Sequence, residues 1–167
     1  MIKFFRIIFV IAMFFAFPSF VIAEDVQTLS AGISLNEQIP VDLMGTWRVA
    51  SVLKETDSPT NFKKMGVDIW NLSKIGNVIT LSNPFTGATA SIEVTYVKNN
   101  NIKFSKRGTY DRQNLEDIVE LTLTGDKFQG INQLKLETVE NGTIMKSKSA
   151  IYVLRGEKIS GSSVIEK

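Results

Sequence analysis

Residues 45–53 read Gly-Thr-Trp-Arg-Val-Ala-Ser-Val-Leu, and this stretch decides the fold of the chain. Trp47, Val49 and Leu53 fall on one face of it, because side chains two apart in a strand point the same way. Short alternating segments of the same kind follow it to Ile165, separated by turn residues. No stretch after residue 23 has the pattern of a long helix, so the sequence predicts an all-β fold.

The later segments predict about eight or nine strands in total. The clearest alternation runs from Ala88 to Tyr96, and we expect those two residues to share a face. Gly76-Asn77 and Asn141-Gly142 are hairpin turn signals, whereas the polar run Lys106–Asn114 predicts a long hairpin loop. Turns at such short intervals indicate an up-and-down antiparallel meander. Closure into a small barrel would leave it without free edge strands.

One eight-residue pattern occurs twice, from Leu123 to Gly130 and from Leu154 to Gly161. Both copies read Leu-x-Gly, then an acidic residue, Lys, an apolar residue, x and Gly. We interpret each copy as a strand end, a Gly-acid turn and a bend in the next strand. This predicts a turn at Gly156-Glu157 and a separate closing strand from Lys158 to Ile165.

Residues 1–23 have the composition of a secretory signal peptide. Lys3 and Arg6 precede the apolar run Ile7–Phe17, and cleavage is expected near Ala23-Glu24. The sequence therefore predicts a secreted or periplasmic protein with a signal helix, a flexible lead-in at 24–40 and a β-barrel domain at 41–167. An uncleaved membrane anchor is the alternative, although this run is short beside the roughly 20 residues that a span needs. That anchor is the only membrane association that the sequence suggests.

The composition excludes several classes of function. The chain contains no Cys and therefore no disulfides, and it contains no His, the commonest general base and zinc ligand. Removal of Lys3 and Arg6 with the signal leaves equal numbers of basic and acidic residues, so no nucleic-acid partner is predicted. We expect no enzyme activity, catalytic residue, cofactor or metal site.

Gly45-Thr46-Trp47, the strand meander and a late Arg155 together resemble the calycin superfamily, and the lipocalins in particular. Lipocalins open their first strand with Gly-x-Trp. The resemblance implies that Gly45 and Trp47 close one end of the barrel. It also implies that Arg155 packs across the indole ring of Trp47, an arrangement that a cation–π interaction favours.

Aromatic and apolar residues on several strands are candidates for the lining of a ligand cavity. They are Trp70, Ile92, Val94, Tyr96, Phe104, Leu121, Phe128, Leu134 and Tyr152. The same side chains could instead fill a solid core, as in other barrels of about eight strands.

Two functions therefore stay open. The first is an exported lipocalin-like barrel that binds a small hydrophobic or amphipathic molecule without catalysis. The second is a filled-core envelope or secreted protein–protein interaction module, acting as an adaptor or inhibitor.

Overall fold

The computed structural model describes residues 34–110, 112–161 and 163–165. The predicted signal segment and residues 24–33 of the lead-in lie outside this part of the chain. The described residues form a short helix α1 (Leu35–Gln38), a 3₁₀ turn (Val41–Leu43) and nine strands. The strands are β1 (Gly45–Thr56), β2 (Met65–Ile75), β3 (Val78–Ser82), β4 (Thr89–Lys98), β5 (Asn101–Tyr110), β6 (Gln113–Thr124), β7 (Lys127–Glu140), β8 (Thr143–Ser160) and β9 (Ser163–Ile165).

Strands β1 to β8 form a closed ring of antiparallel pairings, hereafter the closed sheet. Each strand pairs with the next along the chain, and β1 pairs with β8 as well as with β2. The short β9 lies parallel to β2 at residues 73–75, just beyond the part of β2 that pairs with β1. The predicted all-β, up-and-down antiparallel architecture is confirmed.

The strands of the closed sheet are strongly staggered. Thr56 pairs with Ala150, and the registers then lead through β7, β6 and β5 to Lys106. The same registers, followed through β4 and β3, reach Lys74 in β2. Lys74 lies two residues beyond Leu72, the β2 residue that pairs with Gly45 at the start of β1. One circuit therefore displaces the register by about a dozen residues. Because stagger, tilt and diameter are linked, a large stagger widens a closed sheet.

A hydrophobic core fills the end of the closed sheet at which β1 begins. Trp47 is fully buried there, and its indole ring lies 5.1 Å from the phenyl ring of Phe128. Ile39, Leu43 and Met44, from the segment before β1, belong to the same core. The indole N–H of Trp47 donates a hydrogen bond of 2.8 Å to the carbonyl of Leu43. These contacts cover this end, which we call the closed end.

The polar run Lys106–Asn114 is not a long loop, contrary to the sequence prediction. Strands β5 and β6 continue through most of it, and Gly108 pairs with Leu115. The backbone ladder continues although the side chains are polar, and Nη2 of Arg107 forms an ion pair of 2.9 Å with Oε1 of its cross-strand partner Glu116. The hairpin therefore extends well above the core.

The second copy of the repeated pattern does not form a turn. Gly125 has φ +56° in the connection between β6 and β7, as predicted. In contrast, β8 runs without interruption from Thr143 to Ser160, so the predicted turn at Gly156-Glu157 is wrong. A Cβ on Gly156 would lie 2.1 Å from an atom of the Phe128 ring. Glycine at this position therefore makes room for an aromatic side chain.

Candidate functional site

The closed half of the interior is filled by the predicted lining residues. Six of the nine lie in the hydrophobic core with exposures of 8% or less: Trp70, Ile92, Val94, Phe104, Leu121 and Phe128. The indole ring of Trp70 stacks on Phe128 at 6.0 Å. These side chains contact one another in one cluster, so in this half they form a core.

Tyr96 lies on the outer face, contrary to the alternation that placed it with Val94. The register between β4 and β5 shifts between Val94 and Tyr96. Val94 pairs with the buried Phe104, whereas Tyr96 pairs with Lys103 on the opposite face. An irregularity of this kind reverses every later side chain in the strand.

Lys158, rather than Arg155, is the cation beside Trp47. Its Nζ atom lies 5.4 Å from the centre of the indole ring and donates a hydrogen bond of 2.7 Å to the carbonyl of Asp42. Arg155 is exposed and pairs with Ala50, three residues after Trp47 and therefore on the opposite face of β1. The expectation that Arg155 packs on Trp47 is wrong, because the two side chains point to opposite faces of the sheet.

The other half of the interior has a different character. Five inward-facing leucine and tyrosine side chains are only half-buried there, and we call the space they surround the cup: Leu53, Leu115, Leu134, Leu136 and Tyr152. Leu53 pairs with Tyr152, and Leu115 pairs with Leu136. Solvent therefore partly reaches the inward-pointing apolar side chains of the cup. Leu134 and Tyr152 are the two predicted lining residues that lie in it.

A cavity of about 230 Å³ lies at one side of the mouth of the cup. It is lined by Ser51, Asn61, Phe62, Lys63, Met65, Gly66 and Tyr152. The hydroxyl of Tyr152 donates a hydrogen bond of 3.2 Å to the carbonyl of Lys63. Burial raises the pKa of Tyr152 above its ordinary value of 10.0.

The loop between β1 and β2 is fastened to β8 beside this cavity. The carboxylate of Asp57 accepts hydrogen bonds of 2.8 Å from both the backbone N–H and the hydroxyl of Ser149. These bonds hold the pKa of Asp57 below its usual range. The loop that carries Phe62 and Lys63 is therefore anchored to β8 at its first residues.

Three polar side chains form the floor of the cup, and we call them the polar floor: Lys106, Asp117 and Asn132. Asp117 is 3% exposed, and its Oδ2 lies 3.0 Å from Nζ of Lys106. Asn132 is 9% exposed and pairs with Tyr152 and Val119 on the inner face. Oδ1 of Asp117 and Oδ1 of Asn132 are buried without a hydrogen-bond partner in the structure. The neighbouring side chains of Asp117 and Asn132 thus each carry one oxygen that accepts no hydrogen bond.

The polar floor was missed because acidic and amide side chains are usually solvated at strand edges. The position of these residues in the alternation of each strand could have identified them. Asp117 falls two residues before Val119 on an apolar face, and Asn132 falls between Phe128 and Leu134 in the same way. A polar residue in an inward register is the informative exception to the pattern.

The side chains of the cup offer apolar packing and hydrogen bonding. Among residues 34–110, 112–161 and 163–165, no three acidic side chains lie close enough to hold a metal ion. Within the same residues no helix has the length and apolar character needed to cross a membrane. Comparison of the chain with protein-family models, curated proteins and solved structures gives no match in any of the three.

Proposed function

We propose that this chain is an exported, non-catalytic binding protein built on a lipocalin-like barrel. A small hydrophobic or amphipathic molecule would bind in the cup, above the filled core. The molecule would gain affinity mainly from burial of its apolar surface against leucine and tyrosine side chains.

The observation that carries the proposal is the contrast between the two halves of the interior. At the closed end the inward-facing side chains are buried, as Trp47 and Phe104 are at 0% exposure. In the cup, Leu115, Leu134 and Leu136 also face inward but remain half-buried. Apolar walls with a few polar groups are typical of small-molecule sites.

The stagger of the strands favours the interpretation of the closed sheet as a wide barrel. Eight-stranded barrels with a shear of 8 have interiors filled by layers of side chains. A register displacement of about a dozen residues tilts the strands further and widens the interior. A wider interior would leave room beside Asp117 and Asn132 for a ligand.

Native mass spectrometry of the protein purified from its own host tests this function. We expect a bound small mass that is released on denaturation, and uptake of a fluorescent apolar probe by the emptied protein. Leu134→Arg should abolish uptake, because it places a charge in the cup. Gln133→Arg is the matched control, since the exposed Gln133 is its neighbour in β7 and points outward. Equal uptake by both variants, or none by the unaltered protein, contradicts the proposal.

An outer apolar row favours a second candidate, a protein–protein interaction module. Met65, Val52, Val153 and Ile131 are successive cross-strand partners over β2, β1, β8 and β7. All four are at least 39% exposed. Under this candidate, Val153→Arg disrupts a complex with a protein partner and leaves probe uptake unchanged. Under the cup proposal, Leu134→Arg is the variant that loses function.

A further inference from the structure

We infer that the cup selects molecules that carry an uncharged hydrogen-bond donor, a hydroxyl or an amide N–H. A hydroxyl donates its single hydrogen bond to Oδ1 of Asn132, because the carboxylate of Asp117 is already paired with Lys106. The second N–H of a primary amide can also reach Oδ1 of Asp117, and in both cases the apolar part of the molecule lies against the leucines of the cup. The inference rests on the proposed function and specifies the class of ligand.

The two unused acceptors give the first argument. Asp117 Oδ1 and Asn132 Oδ1 are out of contact with water and accept no hydrogen bond in the structure. Burial of such a group without a partner costs free energy, and a donor that arrives with a ligand recovers it. A ligand without a donor leaves both oxygens unpaired, so the polar floor discriminates against it.

The charge of the polar floor gives the second argument. Lys106 neutralises Asp117 across 3.0 Å, and both are largely removed from solvent, with side-chain exposures of 23% and 4%. The cross-strand partners Leu134, Val119 and Tyr152 are uncharged at neutral pH. Other charged residues on the inner face, such as Lys148 beside Leu136 and Asp68 beside Val49, are not cross-strand partners of the polar floor. An ammonium or a carboxylate would therefore bring an uncompensated charge into the site. A hydroxyl or amide donor leaves the local charge at zero.

The positions of the acceptors suit one small head group. Asp117 pairs with Leu134, and Val119 pairs with Asn132, so the two polar residues are diagonal neighbours on the inner face. Diagonal neighbours lie roughly 7–8 Å apart between Cα atoms, within reach of a single group between their side chains. Both oxygens are covered, so entry of the head group includes displacement of side chains such as Lys106 and Leu134.

A series of twelve-carbon probes tests the inference on the full chain. Dodecan-1-ol supplies a neutral donor, dodecyl methyl ether supplies none, and dodecylamine and dodecanoate supply charged heads. Dissociation constants are measured by displacement of a fluorescent apolar probe at neutral pH. We expect the alcohol to bind about tenfold more tightly than the ether, the advantage of roughly one hydrogen bond, and more tightly than either charged probe.

Two variants locate the preference. Asn132→Leu should reduce the alcohol-to-ether ratio to about 2 or less, because it removes the oxygen that accepts the hydroxyl hydrogen and keeps the number of side-chain heavy atoms. Gln133→Leu, on the outer face of the same strand, should leave the ratio unchanged. Far-ultraviolet circular dichroism checks that each variant is folded.

Each outcome has a distinct meaning. Uptake of the alcohol and the ether with equal affinity overturns the inference and leaves the proposed function standing. A preference for the amine or the carboxylate overturns it as well, as does a ratio that survives in Asn132→Leu. Failure of the unaltered protein to bind any of the probes counts against the proposed function itself, and the inference falls with it.

Discussion

Gly156 lies directly against the phenyl ring of Phe128, and no side chain would fit between them. The two residues are cross-strand partners in β8 and β7, and a Cβ on Gly156 would lie 2.1 Å from Cε1 of the ring. Phe128 in turn contacts both Trp47 and Trp70. The absence of a side chain at Gly156 is thus what allows three aromatic rings to meet in the core.

Gly156→Ala should destabilise the protein by about 1–3 kcal/mol, the range for an overpacked core. Chemical denaturation measures the free energy of unfolding. Gly108→Ala is the control, because Gly108 also lies in a strand and has open space around a Cβ. It should be neutral or stabilise by up to about 1 kcal/mol, since glycine is unfavourable within strands. An equal loss in both variants would mean that the Phe128 ring does not occupy this position.

Lys158→Ala should lower stability by about 1–2 kcal/mol, through loss of the cation–π contact with Trp47 and the hydrogen bond to Asp42. Arg155→Ala should change it by less than about 0.5 kcal/mol, because Arg155 is on the exposed outer face. Thermal unfolding of both variants gives the comparison. A larger effect at Arg155 would restore the arrangement that the lipocalin resemblance implies.

Asn132→Leu should leave the stability of the empty protein unchanged or raise it by about 1 kcal/mol. The substitution removes a buried acceptor without a partner, which is costly to bury. Thermal unfolding without ligand, compared with Gln133→Leu, provides the measurement. A loss greater than about 1 kcal/mol would show that Asn132 contributes a favourable interaction in the free protein.

Stability should fall above about pH 10 in part through Tyr152. Burial raises the pKa of its hydroxyl in the folded state. The folded protein therefore holds the hydroxyl proton more tightly than the unfolded chain does. The resulting contribution to the free energy of unfolding is complete below about pH 10 and is lost as the pH rises through the raised pKa. Tyr152→Phe should remove this component of the pH dependence. Free energies of unfolding of both proteins from pH 8 to 11 test it, and parallel curves would contradict it.

The strands and most turns were predictable because they depend on local periodicity. The alternation in β1 and the Asn141-Gly142 turn, with φ +50° and +77°, are encoded by a few neighbouring residues. Closure of the sheet depends instead on pairing between distant strands. Closure was predicted only from the general argument that free edge strands are unfavourable.

The site was predicted less completely because it depends on register. A shift of one residue in β4 moved Tyr96 to the outer face, and the spacing of Arg155 from Lys158 decided which cation meets Trp47. Gly125 and Gly156 stand in the same sequence pattern, yet the nearby Phe128 ring gives the second a different role. Tertiary contacts of this kind cannot be read from a single segment.

The pairing of β1 with β8 has a consequence for how the chain reaches its fold. Gly156, which faces Val49, is made more than a hundred residues after it, so the closed sheet cannot be completed until nearly the whole chain is available. Contacts between such distant residues carry a large loop-closure entropy and are associated with slow folding. A nascent chain would thus lack this closing pairing for most of its synthesis, and its early strands would keep unpaired edges until β8 is made.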